Sequence, residues 1–177
     1  SYLGDSACEE GAVQESFNLA SIMKLPIIFV VENNLFASHM HIDLRQPHNS
    51  TARFAEAHGI PFKVIDGNNL SEVYKASQEA VKHCRENKGP YFIESMTYRW
   101  RGHVGPREDT DVGVKRKDDL DKWKKRDPIK RLKEALINEN IFTQNDFNEI
   151  IYAINIDLDE QWLKALSAPY PPESLLT

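Results

Sequence analysis

Two short polar stretches carry the residue types best suited to bind a small cation and a phosphate. Asp5 lies in Gly4-Asp5-Ser6 and Asn34 closes Glu32-Asn33-Asn34, 29 residues further on. A carboxylate and an amide carbonyl are the hard oxygen donors that Mg2+ prefers, and Mg2+ ordinarily completes its shell with water and substrate phosphate. The backbone N–H groups of Ser6 and Ala7, in a tight turn near a helix N-terminus, are suited to hold phosphate oxygens. Taken alone, the first stretch reads as a turn and the second as a polar strand end. Together they mean more, because the interval holds one turn, one helix and one strand and so returns the chain to the same sheet edge, where α/β proteins bind ligands. Further along, Arg99, Arg101 and His103 offer anion-pairing groups within five residues. His39 and His41 alternate around Met40 without further ligands, so a surface loop is the better reading there.

The elements that must position these residues follow from periodicity. Ser1-Tyr2-Leu3 reads as the end of a buried strand, with material expected upstream, and Gly4–Gly11 as a turn. Val13, Phe17, Ala20 and Met23 then share one helical face. After Pro26, the unbroken run Ile27–Val31 fits a strand covered on both faces, as in parallel sheets. Asn49 and Ser50 are placed to cap a short helix ending at Gly59, and 62–65 gives another strand. Asn69 with Glu72 has capping-box spacing for a helix that stops near Gly89, and Tyr91–Met96 is the next strand. Strand–helix alternation of this kind predicts an open, mainly parallel α/β sheet with right-handed crossovers.

From residue 98 to 119 the pattern gives way to interleaved charges, a long loop. Its stretch from Arg101 to Lys117 is expected to be mobile without a ligand. Residues 120–177 read as a helical extension, with Asp127-Pro128 opening one helix and Thr143 with Asp146 opening another. The aliphatic stripe from Phe147 to Leu166 is most simply core, Trp100 and Trp123 are packing or interface residues rather than a stacking platform, and the mixed charges between Asp118 and Lys133 are a solvated face. The expected organisation is therefore one domain over 1–177, with an α/β core over 1–97, the loop, and the helical extension.

Composition narrows the function classes. A net charge of −5 argues against a nucleic-acid surface, and the longest apolar run is far too short to span a bilayer. Two cysteines, Cys8 and Cys84, make neither a disulfide framework nor a zinc site. The expected compartment is cytoplasmic, or a mitochondrial matrix or plastid in a eukaryote.

The sequence resembles the thiamine-diphosphate-dependent family, whose hallmark is Gly-Asp-Gly, an interval of about this length, then Asn-Asn. The resemblance extends through residues 4–11, 15–20, 24–30 and 32–34, Asp66-Gly67-Asn68, Lys88-Gly89-Pro90, residues 97–103 and Arg126-Asp127-Pro128-Ile129. These look like the alpha subunits of pyruvate, branched-chain and acetoin dehydrogenase complexes, and cover only about the C-terminal half of such a subunit. The resemblance implies a thiamine-diphosphate-binding fold. It implies Mg2+ held by Asp5, Asn34 and the backbone carbonyl of Phe36, with Ser6, Ala7, Arg99 and His103 toward the diphosphate. His103, on an ordering loop by the substrate channel, is the one catalytic candidate in this chain. It also implies oxidative decarboxylation of a 2-oxo acid with acyl transfer to lipoamide. The implied partners are a beta subunit, in an α2β2 assembly that supplies the activating carboxylate, and a lipoyl-bearing acyltransferase core. Ser6 replaces the last hallmark glycine, Phe36 replaces a tyrosine, and Val104 stands where animal pyruvate enzymes carry a regulatory serine.

Two other classes compete. A Mg2+-dependent phosphoryl-transfer or nucleotide-binding domain would use Asp5 similarly, but neither a Gly-Lys-Ser/Thr phosphate loop nor a Gly-x-Gly-x-x-Gly turn is present. The other is a catalytically inactive fragment that only binds partners.

Overall fold

The computed structural model describes residues 1–109 and 116–175, with the side chains of Lys117 and Asp118 outside that description. The elements run β1 (Tyr2–Gly4), α1 (Gly11–Ile22), β2 (Ile28–Asn33), β3 (Phe36–Ala37), β4 (Met40–His41), α2 (Ala52–Ala57), β5 (Phe62–Asp66), α3 (Leu70–Arg85), β6 (Tyr91–Met96), α4 (Lys117–Lys124), α5 (Pro128–Asn138) and α6 (Gln144–Ser167). Two compact units divide the chain, Ser1–Arg131 and Leu132–Thr177.

In the first unit a four-stranded sheet has the order β1-β2-β6-β5, every pairing parallel, so the expected α/β architecture is present. The order places β2 and β6 centrally, which explains the unbroken apolar runs that form them. Coverage is nonetheless uneven: in β2, Phe29, Val31 and Asn33 are buried, while Ile28 and Val30 are half-buried. On one face Phe17 of α1 is wholly buried, edge-on to Phe29 at 4.7 Å and to Phe92 at 5.8 Å, with Ala20, Ala52, Ala55 and Ile60 filling around it. On the other face, Ala76, Ala80 and Cys84 of α3 pack against Ile65, Tyr91 and Ile93. Tyr2 in β1 is 77% exposed, so the strand exists but its outer side chain is not buried as expected.

The helix caps largely follow the predicted chemistry. Asn69 Oδ1 accepts from the N–H groups of Ser71 (3.2 Å) and Glu72 (3.4 Å). Asp127 accepts from Ile129 N (2.9 Å) ahead of α5. Helix α3 ends at Arg85, and Gly89 (φ +104°) follows in a left-handed conformation as the chain turns into β6.

In the second unit, Thr143 and Asp146 form a reciprocal capping box at the start of α6. Here one expectation fails. None of the α6 residues is buried, and Ile150, Ile154, Leu158, Trp162 and Leu166 are all exposed, so the stripe expected to be core is an apolar surface instead. Apolar periodicity shows that a face is suited to burial but not that this chain alone buries it.

Candidate functional site

Strands β1 and β2 pair in parallel with Gly4 opposite Glu32, so Asp5 and Asn33 are the next residues out of two neighbouring strands. The two predicted metal-ligand stretches therefore leave the same sheet edge. Asp5 is only 1% exposed, a burial that demands a counter-charge. Arg45 supplies it, with Nη2 donating to Asp5 Oδ2 and Nη1 donating to Glu9 Oε1. Gln46 adds a bond to the same Glu9 oxygen. The sequence offered little warning of Arg45: it is an isolated basic residue in a polar stretch 11 residues beyond Asn34.

Ser6, the departure from the glycine hallmark, has φ −73° and ψ −28°. That is ordinary right-handed backbone, so the turn does not need glycine at this position. Ser6 and Ala7 lead a 3-10 turn over Ala7–Glu9, in which the Ser6 and Ala7 carbonyls accept from the N–H groups of Glu9 and Glu10 (both 3.1 Å). Cys8 behind them is fully buried; burial, with the nearby charges of Glu94 and Asp5, pushes its thiol up to about 12.

After β2 the chain doubles back sharply. Asn33 Oδ1 accepts from Leu35 N and Asn34 Oδ1 from Phe36 N, both at 3.1 Å, and Leu35 sits at φ +69°. Phe36 then begins the β3–β4 hairpin, with its ring buried against Tyr98 (5.6 Å, edge-on) and its backbone paired with His41. A buried, edge-packed ring suits a phenylalanine at this position.

The basic loop meets this hairpin from the other side. Arg99 Nη2 donates to Ser38 O (2.6 Å) and to Asp109 Oδ2 (3.1 Å). Asp109 is the hub: it also accepts from His103 N (2.9 Å), and it lies 3.8 Å from both His39 Nε2 and Arg116 Nη1. Burial disfavours its charge, but the His103 N–H and the charges of His39, Arg99 and Arg116 outweigh that and hold its carboxyl below the ordinary range. Gly102 is required beside it, since a Cβ there would land on Asp109 Oδ1 and lie 2.9 Å from Arg107 O. The His103 side chain itself is exposed, near the His39 ring at 6.3 Å. Arg101 bonds Pro106 O. Residues 110–115 of the predicted loop lie outside the described residues. In the part that is described, 101–109 is tied down through Asp109, and α4 begins at Lys117.

His41 binds Asp43 and His39 faces Asp109, and among the described residues no group of three or more His, Cys, Asp or Glu side chains is placed to hold a metal ion. Trp123 stacks on Tyr98 at 5.7 Å, as a packing residue should. The charges between Asp118 and Lys133 are not all solvent-directed: Arg126 and Arg131 clamp Asp66 at 2.9 and 2.8 Å.

Asp5, Asn34 and Phe36 bring a carboxylate, an amide carbonyl and a backbone carbonyl, oxygen types that a small hard cation takes, to the carboxyl ends of β1 and β2. The Arg45 guanidinium already shows that Asp5 accepts a positive partner there.

Comparison with known proteins bears on what the edge serves. The family described as "Dehydrogenase E1 component" matches residues 1–174. The chain belongs to that family. A relative named pyruvate dehydrogenase E1 component subunit alpha, from Porphyra purpurea, is 35% identical over 170 residues, covering 96% of this chain and 48% of the relative. One of the same name from Rhizobium meliloti (strain 1021) is 35% identical over 150 residues, covering 84% of this chain and 42% of the relative. A chloroplastic alpha-3 form from Oryza sativa subsp. japonica is 34% identical over 175 residues, covering 99% and 40%. The chain spans about half the length, or less, of these dehydrogenase E1 alpha relatives. Among its described residues no helix is long and apolar enough to cross a membrane.

Proposed function

We propose that this chain supplies the Mg2+-diphosphate half of a thiamine-diphosphate-dependent 2-oxo-acid dehydrogenase E1 component, acting with a beta subunit in an α2β2 assembly. The observation that carries this assignment is the exit of Asp5 and the Asn33-Asn34 turn from adjacent parallel strands. Membership of the E1 family supports the choice of cofactor. Asp5, Asn34 and the Phe36 carbonyl would hold Mg2+, and Ser6 and Ala7 would reach the diphosphate through their N–H groups.

When bound, thiamine diphosphate supplies the carbanion chemistry that makes a 2-oxo acid lose CO2. The residues of this chain bind and orient. Asp5 is held in place by the Arg45 guanidinium, which must move off the carboxylate for a metal to reach it. Asp109 fixes the backbone at His103 and leaves the imidazole exposed near His39, from where it would donate to an anionic ligand. Arg99, spanning Ser38 and Asp109, ties the loop to the hairpin and brings positive charge to the diphosphate side. The acyl product would pass to lipoamide on an acyltransferase core. The 2-oxo acid substrate and the beta-subunit carboxylate complete the site from outside this chain. The compartment proposed is the cytoplasm, or the mitochondrial matrix or plastid if the source is a eukaryote.

The test is complementation. The purified 177-residue chain with Mg2+ and thiamine diphosphate should release no measurable CO2 from 2-oxo acids. Activity should appear when the remainder of an alpha subunit and a beta subunit are supplied. Robust turnover by the chain alone, in a preparation free of host dehydrogenase, would overturn the two-subunit reading.

A further inference from the structure

A glutamate inside the apolar run Tyr91–Met96 is out of keeping with a central strand, because a buried carboxylate is strongly disfavoured unless donors replace its hydration. Glu94 is wholly buried in β6, in register with Val31 of β2 and Val64 of β5. Its partners are five neutral donors. Oε1 accepts from Asn33 Nδ2 (2.7 Å), Thr51 N (2.7 Å) and Thr51 Oγ1 (2.9 Å), and Oε2 accepts from Ala52 N (3.1 Å) and Ser50 Oγ.

Glu94 thus caps the N–H groups of Thr51 and Ala52 at the start of α2, while Ser50 Oγ, as expected of a cap, also accepts from Ala52 N (3.3 Å). The bond to Asn33 has a different consequence. Asn33 Nδ2 is also committed to Asn49 O (2.8 Å), so both amide hydrogens are used and the orientation of the amide is set. Its Oδ1 is then aimed at Leu35 N, the amide of a residue held at φ +69°, a conformation a leucine adopts only when its surroundings impose it. The next bond, Asn34 Oδ1 to Phe36 N, closes the same turn.

We propose that Glu94 is a positioning residue: acting through the Asn33 amide, it holds Leu35 in its left-handed conformation and so presents Asn34 and the Phe36 carbonyl to a divalent cation. This rests on the metal reading of Asp5 and Asn34 given above. Capping α2 alone is the simpler role, and it makes different predictions.

The experiment measures Mn2+ affinity by electron paramagnetic resonance in the full chain with thiamine diphosphate present, alongside exchange of the Leu35 and Phe36 amides. Glu94→Met, which keeps volume and removes both oxygens, should weaken Mn2+ binding about tenfold, as loss of a ligand-orienting group typically does. Asn33→Ser should do the same, and the double variant should be no worse than either single one, because both cut one chain of contacts. Glu94→Gln keeps an oxygen for Asn33 and Thr51 while opposing Ala52 N, so it should lose stability yet retain most of the metal affinity. Thr51→Val should leave affinity unchanged. Amide exchange at Leu35 and Phe36 should quicken in Glu94→Met and Asn33→Ser only. If Glu94→Met fails to fold, Asn33→Ser and Glu94→Gln decide the question. Unchanged affinity in Asn33→Ser, or additive losses in the double variant, overturns the proposal while leaving the metal site standing. Unchanged affinity in an Asp5→Asn control overturns the metal reading and the role of Glu94 with it.

Discussion

Arg45→Met separates a structural ion pair from a metal site in waiting. Arg45 and Asp5 have side chains 7% and 1% exposed, and Glu9 shares the guanidinium at 31%. Methionine fills much of the volume but leaves two carboxylates facing one another with no cation. Breaking a buried pair in this way costs about 3–5 kcal/mol, and partial exposure of Glu9 favours the lower end, about 3 kcal/mol. With a urea dependence of about 2 kcal/mol per molar, the midpoint should fall by about 1.5 M. Unfolding is best followed through Trp100 and Trp123 in a Trp162→Phe background, so that fluorescence reports the α/β unit. Mg2+ with thiamine diphosphate changes the comparison. In the parent chain the metal must displace Arg45, whereas in the variant it meets a bare carboxylate, so bound ligand stabilises the variant more. The gap between the two midpoints should shrink to less than about 0.5 M at saturating ligand. A gap of the same size with and without ligand would mean that no metal reaches Asp5.

Other consequences are independent of that site. Gly102→Ala should push Asp109 away and cost about 1–3 kcal/mol through overpacking, read by denaturant unfolding together with faster exchange at His103 N; an unshifted midpoint would refute the close packing at Gly102. Asp66 is disfavoured as an anion by burial, but bonds from Arg131 and Arg126 outweigh this and lower its carboxyl below the ordinary range. The sign follows: its stabilisation is complete above the unfolded value of about 3.9 and disappears as pH falls through the lower folded value. Asp66→Asn should therefore cost about 1 kcal/mol at pH 7, since both arginines are more than a third exposed, and the difference should vanish in thermal melts only below about pH 3.9. Cys8, buried with its thiol near 12, should resist a thiol reagent at pH 8 until the core unfolds; rapid labelling in the native chain would contradict its place under the Asp5 turn.

Much of the α/β unit is legible in the sequence because it rests on local patterns. Apolar runs make the central strands, 3.6-residue spacing places Phe17 and Ala20 inward, and Asn69, Asp127 and Thr143 cap the helices their spacing announces. The Asp5 and Asn34 stretches reach one edge because the turn, helix and strand between them return the chain there. What escapes a sequence reading depends on distant partners. Arg45 and Asp109 look solvated or incidental in the sequence and Glu94 interrupts an apolar run with no partner in view, yet each neutralises or aims a group 10 to 61 residues away. The Ser50 cap on Ala52 N is shared with a carboxylate from β6 that no local pattern announces. The apolar stripe of α6 is correctly periodic, but periodicity carries no information about which chain covers it.

Mg2+-dependent binding of thiamine diphosphate to Asp5→Asn, titrated calorimetrically in the assembled protein, tests the metal site most directly. Affinity should fall at least about tenfold and lose its dependence on Mg2+, because the only charged donor of the set is gone, while His39→Ala should bind as the parent does. Unchanged, Mg2+-dependent affinity in the Asp5 variant would contradict the assignment of this sheet edge as the cation site.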